Sequence, residues 1–116
     1  MKGLVIKAPW IFLILDGKKV WEIRGSYTKI RGKIALIQSG TGLVIGTAEL
    51  IDCKRLSLLE YQEAKDLHCI EDCITAPYPA IHAWVLTNAV RFQTPMPYTH
   101  PQGAVIWVNL DKYSIK

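Results

Sequence analysis

Short β-branched apolar runs, each cut off by glycine or proline, dominate this chain. Lys2–Lys7, Val20–Arg24, Gly32–Gln38, Leu43–Ile51, His82–Thr87 and Gly103–Leu110 each alternate or cluster Val, Ile, Leu and Trp over strand-like lengths. Eight glycines and six prolines supply the breaks, among them Pro9, the Gly40–Gly42 turn, Pro77 and Pro79. Such runs predict about six strands and leave little room for long helices. Gly46 interrupts the Leu43–Ile51 run and marks an expected bulge. Thr94–Pro101 carries Pro95, Pro97 and Pro101 and is expected to be a loop.

Helical spacing is confined to two places. Trp10, Leu13 and Ile14 share a helical face between Pro9 and the Asp16-Gly17 stop, which predicts a short helix over Trp10–Leu15. Leu56, Leu59, Ala64 and Leu67 recur behind Ser57, an N-cap with Glu60 three residues on, and predict the longer helix. Half of the 116 residues are hydrophobic, enough for one core. Residues 1–116 are therefore read as a single domain, α+β but mainly β: a small β-barrel with two flanking helices. Gly3–Leu15 is too short and too interrupted to span a bilayer and has no small-residue cleavage site, so a cytoplasmic protein without a membrane partner is expected.

The net charge of +4 is unevenly placed, with ten of the fourteen Lys and Arg residues in the first 60 positions. Lys18, Lys19, Arg24, Lys29, Arg31 and Lys33 crowd into residues 17–33 against Glu22 alone, with Trp21 and Tyr27 interleaved. That composition favours an anionic partner such as RNA. Cys53, Cys69 and Cys73 are odd in number and form no disulfide framework, as for reduced thiols. His68, Cys69 and Cys73 lack the second ligand pair of a structural zinc site, so neither metal nor cofactor is expected.

Alternation through Val20–Arg24 sets Glu22 and Arg24 on one face and Trp21 and Ile23 on the other, which is expected to enter the core. Lys19, at the turn into this strand, has no direction fixed by alternation, and Lys7 ends the first strand. As an exposed pair, Glu22 and Arg24 would add little stability. Most of the tryptophans sit in apolar patterns and are read as core; Trp10, at a strand-to-helix corner, is the best candidate to line a cleft, with Tyr27 and Tyr98 behind it.

Leu4-Val-Ile-Lys-Ala-Pro-Trp10, Gly17-Lys-Lys-Val-Trp-Glu-Ile-Arg24, Arg31-Gly-Lys-Ile34, His82-Ala-Trp-Val-Leu86 and the closing Pro97–Gly103 with Trp107 stand in the order of the recurring phrases of ASCH (activating signal cointegrator homology) domains, which the chain resembles along nearly its whole length. The resemblance implies a PUA-like barrel with a cleft for RNA, a nucleotide or a modified nucleoside. Lys7, Trp10, Lys18, Tyr27, Lys29 and Arg31 are the expected binding residues. Some members are amidohydrolases that deacylate N4-acetylcytidine, and others are connected with RNA cleavage; for such activity Lys19, Glu22 and Arg24 are the expected catalytic set. Lys19 matches the family lysine, but Glu22 stands where those enzymes place a threonine nucleophile. Their helical carboxylate matches Glu60, Glu63 or Asp66 equally well.

Overall fold

A computed structural model describes residues 1–115, with β1 (Lys2–Ile6), α1 (Trp10–Leu15), β2 (Trp21–Arg24), β3 (Gly32–Gln38), β4 (Leu43–Leu56), α2 (Leu58–Glu63), α3 (Lys65–His68), β5 (Ile81–Pro97) and β6 (Trp107–Asn109). The six strands form one sheet in the order β2-β5-β4-β3-β1-β6. Only β1 and β3 run parallel, with Leu4 opposite Leu36. The expected closed barrel is not formed, because β2 and β6 are the two edges and β6 has only three residues to offer.

Strand alternation distributes the core over both faces of this sheet. Leu4, Ile6, Leu36, Leu50 and Trp84 pack with Ile11 and Ile14 of α1, which is why α1 needs only one apolar stripe. Neighbours one residue out of phase, Ala35, Ile37 and Val44, pack instead with Val108 and Leu110. Ile23, Leu56, Ile81 and Ala83 form a third cluster under Tyr61 of α2.

Several elements differ from the sequence expectation. The longer helix is broken at Ala64 (φ −99°, ψ 26°) into α2 and α3, giving three helices and not two. Its start is as expected: the Ser57 hydroxyl accepts from the Glu60 N–H at 3.1 Å while the Glu60 carboxylate accepts from the Ser57 N–H at 2.8 Å. β4 runs on to Leu56, and β5 continues through the expected loop to Pro97. The prolines are tolerated because β2 pairs β5 only from His82 to Val85; farther along, β5 has β4 on one side alone, so a missing N–H breaks no second ladder. Of Gly103–Leu110, only Trp107–Asn109 is strand.

The bulge at Gly46 is present as a register shift between Val44 and Gly46 against β5. A Cβ on Gly46 would collide with the Val90 carbonyl oxygen and would lie 2.6 Å from Leu15 Cδ2 of α1. Glycine is needed there for close approach, in a buried layer without slack. Gly46→Ala should lower the unfolding free energy by about 1–3 kcal/mol. Urea denaturation tests this, and an unchanged midpoint would mean that β5 and α1 yield to the methyl group.

Candidate functional site

A cavity of about 420 Å³ opens where β1 and the edge strand β2 face each other without pairing. A side chain crosses the gap: Arg24 donates from Nη2 to the Val5 carbonyl of β1 at 2.8 Å. The same guanidinium grips Glu22, with Nε at 2.9 Å and Nη2 at 2.8 Å from Oε2. The other carboxylate oxygen, Oε1, lies 3.8 Å from Lys19 Nζ. Lys19 in turn donates to the His68 carbonyl at the end of α3, at 2.5 Å, and stands 5.1 Å from the centroid of the Trp10 ring. Arg24 lies 5.6 Å from the ring of Trp84, itself stacked on Trp107.

This constellation is buried, which the expectation of an exposed Glu22–Arg24 pair did not foresee: Lys19 is 2% exposed and Glu22 7%. The reason lies in the backbone before β2. The Lys18 and Lys19 N–H groups both bond the Leu13 carbonyl, and Val20 pairs with Leu67, so the turn after α1 is folded inward and aims Lys19 at the end of α3. Of the pair expected in the core, Ile23 is buried in the cluster under Tyr61, and Trp21 is half-buried and packs against that cluster, with Lys54 near its ring. Burial pushes the Lys19 ammonium below its ordinary range, and attraction to Glu22 offsets only part of that.

Lys7, Trp10, Lys19, Glu22 and Arg24 all line the cavity. Lys18, Tyr27, Lys29 and Arg31 do not. Arg31 is turned onto its own loop, donating to the Thr28 and Ile30 carbonyls at 2.8 Å and lying 5.7 Å from the centre of the Tyr27 ring. None of Glu60, Glu63 and Asp66 reaches the cavity; the acidic residue that does, besides Glu22, is Asp72, in the 69–80 loop. That loop also brings Thr75 and Tyr78, and α2 brings Tyr61. Sequence reasoning misses these four: the loop carries no periodicity to orient a side chain, and helical spacing alone does not aim Tyr61 at a cavity. Tyr61 is fully buried, and its hydroxyl has no hydrogen-bond partner among the described residues.

His68 holds the α3 end that receives Lys19. Its ring stacks on Tyr61, Nδ1 accepts from the Ile70 N–H at 2.9 Å, and Nε2 lies 2.7 Å from the Tyr61 carbonyl, where it must donate. Both nitrogens are thereby committed in the neutral tautomer, leaving neither for a metal. Burial holds the imidazole below its ordinary value, so the unfolded chain takes up a proton first on acidification. Stability should therefore fall as pH drops below about 6.5, down to the folded-state value, and His68→Gln should flatten that limb. Thermal melts from pH 7.5 to about 4.5 test it; an equal slope in both proteins would exclude His68 as the cause.

Comparison with known proteins identifies the fold. The model of the ASCH domain matches residues 4–96. A crystal structure of ASCH from Zymomonas mobilis superposes with a TM-score of 0.72 at 14% identity, covering 96% of this chain and 89% of that one. A single-residue variant of the Zymomonas mobilis protein gives a TM-score of 0.73 at 14% identity with the same coverages. At such identity the likeness concerns the fold. No curated protein sequence matches significantly. The family model spans most of the chain and reaches every strand but β6, and the protein accordingly belongs to the ASCH domain family.

Proposed function

We propose that this ASCH domain binds one nucleotide unit of single-stranded RNA, or a free nucleoside, in the cavity between β1 and β2. The observation that carries the reading is the convergence of Lys7, Trp10, Lys19, Glu22 and Arg24 on one cavity of about 420 Å³, a volume suited to a single small ligand. Lys19 offers a strong donor and Glu22 Oε1 an acceptor 3.8 Å apart, matching the adjacent acceptor and donor on the edge of a pyrimidine or purine. The Trp10 ring and the exposed Lys7 belong to the same wall. Lys18, Lys29 and Arg31, outside the cavity, contribute to the field that attracts phosphates. The PUA-like character of the ASCH fold, a type associated with RNA binding, supports the same class of partner.

The favoured second reading is amide hydrolysis of an N4-acylated cytidine. It is supported by a carboxylate whose Arg24-free oxygen stands beside a lysine. Water would attack the acyl carbonyl and pass its proton to Glu22, with Lys19 stabilising the oxyanion. Collapse would break the C–N4 bond, return the proton to the amine and release cytidine and the carboxylic acid. Here Glu22 acts on water and not as the nucleophile that threonine would be.

Lys19 answers the Glu22 carboxylate and the His68 carbonyl at once. Lys19→Met leaves the buried His68 carbonyl without its side-chain donor and should lower the melting temperature at neutral pH, while weakening RNA binding about ten-fold well below that temperature. Wild-type affinity for a short single-stranded RNA should fall steeply with salt. Fluorescence titration at two salt concentrations, beside melts, decides the first reading; no binding at low salt sinks it. Glu22→Gln, which keeps the shape of the side chain, separates the second. Deacylation seen by chromatography in wild type and abolished in the variant would establish hydrolysis, whereas wild-type protein without turnover, paired with tighter RNA binding by the variant, leaves binding alone.

A further inference from the structure

A second compartment of about 530 Å³ lies beside the cavity, and Val5, Lys7, Ser39 and Val105 line both. Its remaining lining includes Tyr98 and His100 and also Gly40 and Gly42, two positions at positive φ where the turn carries no side chain. The aromatic pair is held in place by its neighbours. The Tyr98 hydroxyl donates to His100 Nδ1 at 2.7 Å, leaving His100 Nε2 to donate to the Ala104 carbonyl at 2.7 Å. The next N–H along, that of Thr99, donates to the Tyr113 hydroxyl at 2.8 Å. The Tyr98 N–H itself bonds the Gly42 carbonyl, tying the tyrosine to the glycine turn.

The two compartments differ in chemistry. The first concentrates buried ions; the second has apolar walls, a fixed tyrosine and histidine, and a single cation, Lys7, at the junction. We infer that the second compartment takes the base of the nucleotide next to the one in the cavity, against Tyr98 and His100, with the linking phosphate at Lys7. This rests on the nucleotide-binding reading above and deepens it: the ligand is an oligonucleotide chain of at least two units and not a free nucleoside. Aromatic side chains stack bases of any identity, so the second position adds affinity with little sequence preference, while selection belongs to the Lys19–Glu22 pair.

The test compares cytidine 5′-monophosphate with a cytidine tetranucleotide in calorimetric titrations of the full chain. Wild type should bind the tetranucleotide about ten-fold or more tightly than the mononucleotide, in line with one added stacking contact. Tyr98→Ala should collapse that ratio towards one, Tyr98→Phe should keep it, and Lys7→Ala should lower the salt slope of tetranucleotide binding by about one. Equal wild-type affinities for the two ligands would overturn the second compartment and leave the first intact, an outcome that needs no variant to fold. Failure to bind either ligand would instead remove the nucleotide-binding reading itself. A ratio kept in both Tyr98→Ala and Lys7→Ala would place the extra contacts on another surface and overturn the inference.

Discussion

The guanidinium of Arg24 is the constraint around which this protein is arranged. A six-stranded sheet of this kind closes only if its edge strands, β2 and β6, pair, and they do not; β2 instead faces β1, the neighbour of the other edge, with no backbone ladder between the two. Arg24 spans them with one side chain, holding a carboxylate of its own strand and a carbonyl of the other. Charge-assisted bonds of this kind are stronger and shorter than amide ones, so a single residue can fix an approach that would otherwise take a ladder. The difference in width between a side-chain bridge and a ladder leaves the cavity. The opening at this seam and the bridge across it thus have the same source.

The charges inside are ordered by how each is compensated. Glu22 is gripped by Arg24; Lys19 has a carbonyl at hydrogen-bond distance and a carboxylate farther off, and its burial outweighs both. A lysine buried to this extent is uncommon unless its charge is paired. Such groups concentrate where ligands are handled. His68 completes the set without charge: its committed nitrogens fix the chain end that accepts from Lys19.

Much of the architecture is legible in the sequence because strands and caps are local. The Gly46 bulge, the Ser57–Glu60 capping box and the common face of Glu22 and Arg24 follow from period and residue type, and the structure bears each of them out. What local pattern does not carry is what lies across from a strand. The prolines of 95–97 read as loop because their sequence cannot reveal that β5 has lost its second neighbour there. The break at Ala64 is invisible for the opposite reason: Leu67 continues the helical spacing, yet the backbone turns so that its carbonyl can accept from Val20. Lys19 cannot be aimed from alternation, and no local pattern reveals that Arg31 is turned back onto its own loop. Asp72, Thr75 and Tyr78 arrive on a segment whose course is set wholly by tertiary packing.

β1 lies between β3 and β6, so the strand nearest the start of the chain is flanked by one of the last. The cavity inherits that arrangement, because its walls come from Val5 and Lys7, from residues 19–24, from the 69–80 loop and from Val105. No contiguous fragment much shorter than the whole domain contains both sides of it. The entropy of drawing such distant segments together is borne once, by the pairing of the sheet, and the site comes with it at no separate ordering cost. Formation of the cavity and completion of the fold are in this sense a single event, and a chain caught halfway through folding presents basic and aromatic residues but no cavity for them to line.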